Sequence, residues 1–270
     1  MNIVVCIKQV PASSNVKVDP VTGVLIRDGI ESKMNPYDLF ALEEALALRQ
    51  AVGGTVRVIT MGPNPAKAVL SEAIYMGADE GILISDRRFG GADVLATSYT
   101  LSSAIRSLET EEEKVDLVIC GKQTTDGDTA QVGAEMAEYL DLPQYSNVRS
   151  LKIADQQGEI EVVSLLGSDL LTARIKLPCV ICTDAEINTP CLPSYLRKCA
   201  VDPKLDELIK VLTLDDFLDR DPAHYGLKGS ATAVERIFPP ETNDEHIYLT
   251  GNARENTRAL VESLKTRKLL

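Results

Sequence analysis

Lys122, Gln123, Thr124, Thr125, Asp126, Asp128, Thr129 and Gln131 crowd into one stretch, bounded by Gly121 and Gly133 and interrupted by Gly127. A lysine, amides, hydroxyls and carboxylates at that density can hydrogen-bond a polar ligand from several sides. The stretch follows a strand-like run, Val115 to Cys120, and leads into a helix-like run, Ala130 to Leu140. Ligands of open α/β sheets lie outside the carboxyl ends of the strands. A helix start there also offers free N–H groups and the positive end of its dipole to an anion. Neither G-x-x-x-x-G-K-[ST] nor G-x-G-x-x-G is present. The stretch alone points to a nucleotide-like ligand.

Other reactive side chains are less suited to a site. The cysteines are Cys6, Cys120, Cys179, Cys182, Cys191 and Cys199, and Cys179 and Cys182 have C-x-x-C spacing. That pair lies in an apolar run, where a strand sends positions i and i+3 to opposite faces. We therefore expect reduced, structural cysteines and no metal. His224 and His246 fall in polar loops, so catalysis by a Ser/His/Asp or Cys/His set lacks a histidine. Net charge is −12, which argues against nucleic acid or an acidic membrane surface, where Lys and Arg supply affinity. No apolar run reaches the roughly 18 residues of a membrane span. The expectation is a cytoplasmic protein.

The elements that must position the stretch alternate. Asn2 to Lys8, Thr55 to Met61, Gly81 to Ser85 and Val115 to Cys120 read as buried strands, with 44% hydrophobic residues overall to build a core. Residues 14 to 28 suggest a hairpin-like excursion around Asp19-Pro20-Val21-Thr22-Gly23. Helices are expected from Pro36 to about Gln50, Ala66 to Met76, and after Phe89-Gly90-Gly91-Ala92-Asp93 to about Leu108. Asn35 suits the N-cap of the first, Pro36 its first position and Asp38 its first turn, with Leu39, Leu42 and Leu46 as the apolar face. This order predicts a doubly wound, mainly parallel α/β sheet. Strand runs at 147–153, 159–166, 170–177 and 179–183 have no helix between them and predict extra antiparallel or mixed strands. After Asn188 regular pattern fades, and 226 onward reads as an arm ending in a helix from about Ala253 to Leu264.

With the first four strands parallel and adjacent, their carboxyl ends gather Cys6-Ile7-Lys8, Met61-Gly62-Pro63 and Gly121-Lys122-Gln123, flanked by Asn35-Pro36-Tyr37-Asp38. Such a pocket combines N–H donors, apolar walls and a few polar handles. Asp128 can cap the helix, with Gln131 returning the bond as in a capping box. Asp126 can meet a ribose hydroxyl or shape an Asx turn. Phosphates would rest on Thr129, Ala130, Gln131 and Val132. Lys8 serves as their countercharge or as a surface lysine.

On these residues the chain resembles the β subunit of electron-transfer flavoproteins. The matching runs are Val4 to Val10, Met34 to Asp38, Ile59 to Pro63, Met76 to Asp79, Val115 to Gly133, Leu140 to Gln144 and Lys176 to Thr183. The resemblance implies an adenine nucleotide alpha hydrolase-like fold and a heterodimer whose α subunit carries FAD. It assigns the nucleotide to Cys6, Asn35, Pro36, Tyr37, Asp38, Met61, Gly62 and Gly121 to Val132; the 89–97 loop, with Gly90, Gly91 and Thr97, is the candidate wall for the isoalloxazine. Many members hold a structural AMP in this pocket. Gly127, Ala130 and Val132, with Phe89 to Asp93, resemble the electron-bifurcating group, whose pocket holds a second FAD that accepts hydride from NADH. Electrons then pass to the α-subunit FAD and its dehydrogenase, and to ferredoxin or flavodoxin. No side chain need act as acid or base, so the chain would be an electron carrier within an NADH-dependent flavin oxidoreductase complex.

The resemblance also places a partner-recognition loop at Cys191 to Lys198, with Leu192 as the anchor on an acyl-CoA dehydrogenase. It implies a nucleotide domain at 1–190, the loop and short helices at 191–225, and an arm at 226–270 that wraps the α subunit. Many members have an arginine where Ser164 stands here. The dehydrogenase thus stays open between an acyl-CoA enzyme and a 2-hydroxy acid enzyme such as lactate dehydrogenase. The rivals are a β subunit with structural AMP, and a stand-alone nucleotide-binding regulatory domain.

Overall fold

The computed structural model describes residues 1–12, 17–18, 25–26, 31–154, 158–235 and 246–270. The chain opens with β1 (Asn2–Cys6), β2 (Gln9–Pro11), β3 (Lys17–Val18), β4 (Leu25–Ile26), β5 (Ser32–Met34) and α1 (Pro36–Val52). It continues with β6 (Thr55–Met61), α2 (Lys67–Met76), β7 (Glu80–Ile84), α3 (Val94–Leu108), β8 (Leu117–Gly121) and α4 (Val132–Leu140). Next come β9 (Gln144–Ile153), β10 (Glu159–Leu166), β11 (Asp169–Lys176) and β12 (Cys179–Thr183). The last elements are α5 (Tyr195–Val201), α6 (Leu205–Leu208), β13 (Ile209–Leu212), α7 (Gly226–Gly229) and α8 (Ala253–Thr266).

Nine strands form the main sheet in the order β11-β10-β9-β12-β8-β1-β6-β7-β13. Every pairing from β9 across to β13 is parallel, and β10 pairs antiparallel with both β9 and β11. The central strands β1, β8 and β12 are almost wholly buried because helices cover both faces. Ala41, Leu42, Ala45, Val69, Leu70 and Ile74 bring α1 and α2 onto one face. Leu101, Ala104, Ile105, Met136 and Ala137 bring α3 and α4 onto the other. Each large aliphatic side chain buried this way contributes roughly 1.5–3 kcal/mol, so both layers hold without disulfides. The doubly wound sheet is as expected.

Several details differ from the expectations. The buried stripe of α1 is Ala41, Leu42, Ala45 and Leu48, with Leu39 and Leu46 only partly covered. Ala41 and Ala45 share the buried side with Leu42 and Leu48, which leaves Leu39 and Leu46 at its margin. β13 was not legible, since four residues carry no periodicity, yet it adds a parallel edge strand beside β7. The excursion has its antiparallel pairing, Lys17 opposite Ile26 and Val18 opposite Leu25; its turn at Asp19 to Gly23 lies outside the described residues. Cys179 and Cys182 do face opposite sides of the sheet.

Beyond β13, Leu214, Phe217 and Tyr225 are buried against α3 and Phe89. The Tyr225 hydroxyl donates to the Asp219 carbonyl at 2.7 Å. Residues 226–232 stay fastened to the body: the Leu227 N–H donates to the Gly90 carbonyl at 3.0 Å, and the Thr232 N–H donates to Asp93 at 2.8 Å. No residue from 246 to 270 is buried.

Candidate functional site

β1 lies between β6 and β8, so the chain proceeds from β1 toward β6 and β7 and returns to β1's other side at β8. That reversal is the switch point of the sheet, and it opens a crevice at the carboxyl ends of β1 and β8. Cys6 and Cys120 are in register there, and Cys182 of β12 is in register with Cys120. These buried thiols form an apolar floor; against a lowering hydrogen bond from Cys182, the Cys6 thiol and burial push Cys120 well above the ordinary range, and the Cys120 thiol and burial do the same to Cys182.

Three segments meet over this floor. Pro36 takes the first helical position of α1 and Asn35 precedes it, but the Asn35 side chain does not cap the helix. Its amide instead donates to the Asp38 carboxylate at 2.9 Å and to the Gln123 carbonyl at 2.8 Å, and accepts from the Thr125 N–H at 3.2 Å. Asp38 also accepts the Lys8 N–H at 2.7 Å. Burial pushes the Asp38 carboxyl up to about 7, against the lowering effect of its hydrogen bonds from Asn35 and Lys8. Gly121 is needed where it stands: an added Cβ would collide with Asp38 Oδ1 and lie 2.7 and 2.8 Å from the Tyr37 carbonyl group.

Both lysines of the crevice are engaged. Lys8 pairs with Asp126 at 2.7 Å, and Lys122 with Asp184 at 3.4 Å. The Asp126 carboxyl is lowered by Lys8, which outweighs the larger single effect of its burial. Asp128 does not cap α4. Its backbone is left-handed at φ 53°, its carboxylate accepts from the Gln123 side chain, and the helix starts at Val132 with Gln131 at its cap position and no side-chain cap. The capping box of Asp128 and Gln131 is therefore absent. The turn at Thr125 to Gly127 closes on itself, with Asp128 N–H donating to the Thr124 carbonyl at 2.9 Å, and this aims Asp128 back toward Gln123. Thr129, Ala130 and Gln131 precede the helix, while the first-turn N–H groups from Val132 onward remain free of a side-chain cap, as an anion site requires.

The bonds thus join Lys8, Asn35, Asp38 and Gly121 to Asp128. Met61 ends the neighbouring strand β6, whose Ile59 is in register with Cys6, and Gly62 follows it, while Tyr37 lies against Gly121. Ser98 of α3, the residue after Thr97, donates to Glu135 at 3.0 Å, which sets the start of α3 beside the start of α4. Gly90 and Gly91 pack on Leu227 of α7. Leu192 lies apart, 89% exposed, with its loop held over α1 and α2 by Cys191 N–H to Glu43 at 2.9 Å and Ser194 N–H to the Tyr75 carbonyl at 3.1 Å. Sequence reasoning missed Asp184, Arg149 and Ser98. Asp184 directly follows β12, whose Thr183 is in register with Gly121, so only the strand pairing brings it to the crevice. Arg149 reaches Asp184 at 4.0 Å and pairs with Glu186 at 3.0 Å. Among the described residues no cluster of His, Cys, Asp and Glu could hold a metal, and no helix is long and apolar enough to cross a membrane.

These features define the class: a doubly wound α/β protein with a polar crevice at its switch point. Comparison with known proteins narrows it. The electron transfer flavoprotein domain matches residues 22–209. The chain is 43% identical over 270 residues to the electron transfer flavoprotein subunit beta of Thermoanaerobacterium thermosaccharolyticum, covering 100% of both chains. It is 42% identical to the subunit of the same name from Clostridium acetobutylicum, covering 98% of both. It is 39% identical to the caffeyl-CoA reductase-Etf complex subunit CarD of Acetobacterium woodii, again covering 100% of both. The chain belongs to the electron transfer flavoprotein family, as a relative of its beta subunits.

Proposed function

We propose that this chain is the β subunit of a heterodimeric electron-transfer flavoprotein of the electron-bifurcating kind. Its crevice binds FAD and admits NADH beside it. The observation that carries this reading is the meeting of Lys8, Asn35–Asp38 and the Gly121–Asp128 loop over an apolar floor, next to the uncapped start of α4. That donor set fits an adenine nucleotide: free N–H groups for phosphate, carboxylates at Asp126 and Asp128 for ribose, and buried apolar atoms for a ring. Gly127, Ala130 and Val132 favour FAD over AMP, since they resemble the electron-bifurcating group at these positions.

Bound flavin would supply the redox chemistry, taking hydride and releasing electrons. The chain's residues would bind and orient it: Met61 and Gly62 beside the ring, the α4 start on phosphate, and the 90–97 segment as the far wall. Electrons would leave to the α subunit's FAD and its dehydrogenase, and to ferredoxin or flavodoxin. The name of the Acetobacterium woodii relative supports a partner acting on CoA thioesters over a lactate dehydrogenase.

In the division we propose, residues 1–190 bind nucleotide, 191–225 recognise the dehydrogenase through Leu192, and 226–270 wrap the α subunit in the cytoplasm. The uncovered faces of Leu192 and α8 support the two contacts. Purifying the heterodimer and counting its nucleotides tests the reading. Two FAD per heterodimer, bleached by NADH, are expected. One FAD with one AMP and no bleaching would replace it with the structural-AMP reading; a colourless monomer would overturn both. Leu192→Ala should slow electron transfer to the dehydrogenase without changing the flavin count.

A further inference from the structure

The Asn35 and Asp38 side chains sit inside the crevice wall with their polar atoms spent. Asn35 is 0% exposed and Asp38 4%. The amide of Asn35 uses its nitrogen on Asp38 and on the Gln123 carbonyl, and its oxygen on the Thr125 N–H. Asp38 divides its two oxygens between Asn35 and the Lys8 N–H. The Asn35 N–H also donates to the Lys8 carbonyl at 2.8 Å. Three segments far apart in sequence, 6–8, 35–38 and 123–125, are thereby tied by two side chains, and burial leaves neither open to a ligand.

We propose that Asn35 and Asp38 are positioning residues that hold the 123–125 turn at the height a nucleotide needs, without touching the nucleotide. The proposal rests on the reading that this crevice binds an adenine nucleotide. It moves direct contact onto groups that face outward: Lys8, Gln123 and the exposed members of the 126–131 loop. The charged groups around Asp38 are Lys8 on the β1 end and Asp126 on the loop, with the Cys120 thiol below. Lys8 itself bridges to Asp126 at 2.7 Å. A shift of Asp38 would therefore move both the backbone and the side chain of Lys8, and through them the loop.

The donor and acceptor pattern gives a specific test. In Asp38→Asn one amide must replace two acceptors, so either Lys8 or Asn35 loses its bond. In Asn35→Asp a carboxylate faces Asp38 and the Gln123 carbonyl. The exchanged pair, Asn35→Asp with Asp38→Asn, restores a donor opposite an acceptor at every contact except Gln123. The heterodimer, stripped of nucleotide, would be titrated by calorimetry with three probes. These are AMP, 2′,3′-dideoxy-AMP and purine riboside 5′-monophosphate, which lacks the 6-amino group.

Each single variant should bind AMP about tenfold more weakly, the effect of one hydrogen bond lost in a buried network. The same factor should hold for all three probes, and the exchanged pair, which restores every contact except the one to Gln123, should lose no more than either single variant. A loss that vanishes with one analogue would show direct contact and overturn the proposal, as would additive losses in the exchanged pair. Wild-type heterodimer that binds none of the probes would remove the site reading and the proposal together. Wild-type binding with an unaffected Asp38→Asn would remove the proposal alone. Should the variants fail to assemble, amide exchange in the wild-type heterodimer decides. Lys8 and Thr125 N–H should be equally slow with and without AMP; protection of Thr125 only when AMP is added would refute positioning.

Discussion

Replacing Gly121 by alanine would put a methyl group where β8 ends against the first turn of α1. The added Cβ would lie 2.7 Å from the Tyr37 carbonyl carbon and 2.8 Å from its oxygen, and closer still to Asp38 Oδ1. Carbon contacts are favourable at about 3.5–4.0 Å, so the neighbours must retreat by about an ångström. None can do so cheaply. Tyr37 presents backbone of a helix that is buried along Ala41, Leu42, Ala45 and Leu48, and Asp38 is held at both oxygens by Asn35 and Lys8. Overpacking of this kind costs about 1–3 kcal/mol and more when backbone must move, so we expect about 3 kcal/mol. That corresponds to roughly 6–10 °C in Tm for a domain of this size. Gly127→Ala is the internal control, because its Cβ would meet only Thr124 Oγ1 at 3.5 Å. It should change stability by less than about 0.5 kcal/mol, and the reduced freedom of the unfolded chain pushes it toward stabilisation. Urea unfolding of both variants, compared with wild type at equal m, measures the difference. Equal midpoints for Gly121→Ala and wild type, or equal losses in both variants, would refute the close approach of α1 to β8.

Asp38 makes a pH prediction: its carboxyl is raised by burial to about 7 from an ordinary value of 3.8, so the folded state holds the proton more tightly. The resulting stability is full below about pH 4 and is lost as pH rises toward 7, on the order of 2–3 kcal/mol between pH 5 and 7. Urea midpoints should fall with pH across that window more steeply in wild type than in Asp38→Asn. Arg197→Ala removes donors to the Ile74, Gly77 and Ala78 carbonyls at 2.6, 3.1 and 2.8 Å. About 2 kcal/mol of stability should go with those charge-assisted bonds, and limited proteolysis should cut faster around Leu192. Asp93→Ala removes the cap of α3, accepted from Ala96 at 3.0 Å, together with the anchor of Thr232. It should cost about 1 kcal/mol and speed amide exchange at Ala96 and Thr232.

Much of the architecture was legible because its causes are local. Continuous apolar runs marked β1, β6, β7, β8 and β12, since a strand covered on both faces cannot alternate. Pro36 opens α1 as its fixed φ should. The last helix, expected from about Ala253, starts there as α8. The same local logic failed at Asp128, whose sequence suits a cap as well as any: the Gln123 side chain and the Thr124 carbonyl compete for that segment and win. It failed again at β13, which is a strand only because β7 offers an unpaired edge.

By itself the sequence determined the doubly wound class, the stretch that forms the crevice and the family, since each is written in contiguous residues. Only the tertiary structure decided what those residues do to one another. It set Lys8 against Asp126, spent Asn35 and Asp38 on backbone, and brought Asp184 to Lys122 across β12. Such pairings join residues tens of positions apart through strand order, and hydrogen-bond partners are chosen by proximity in space, which no local pattern records.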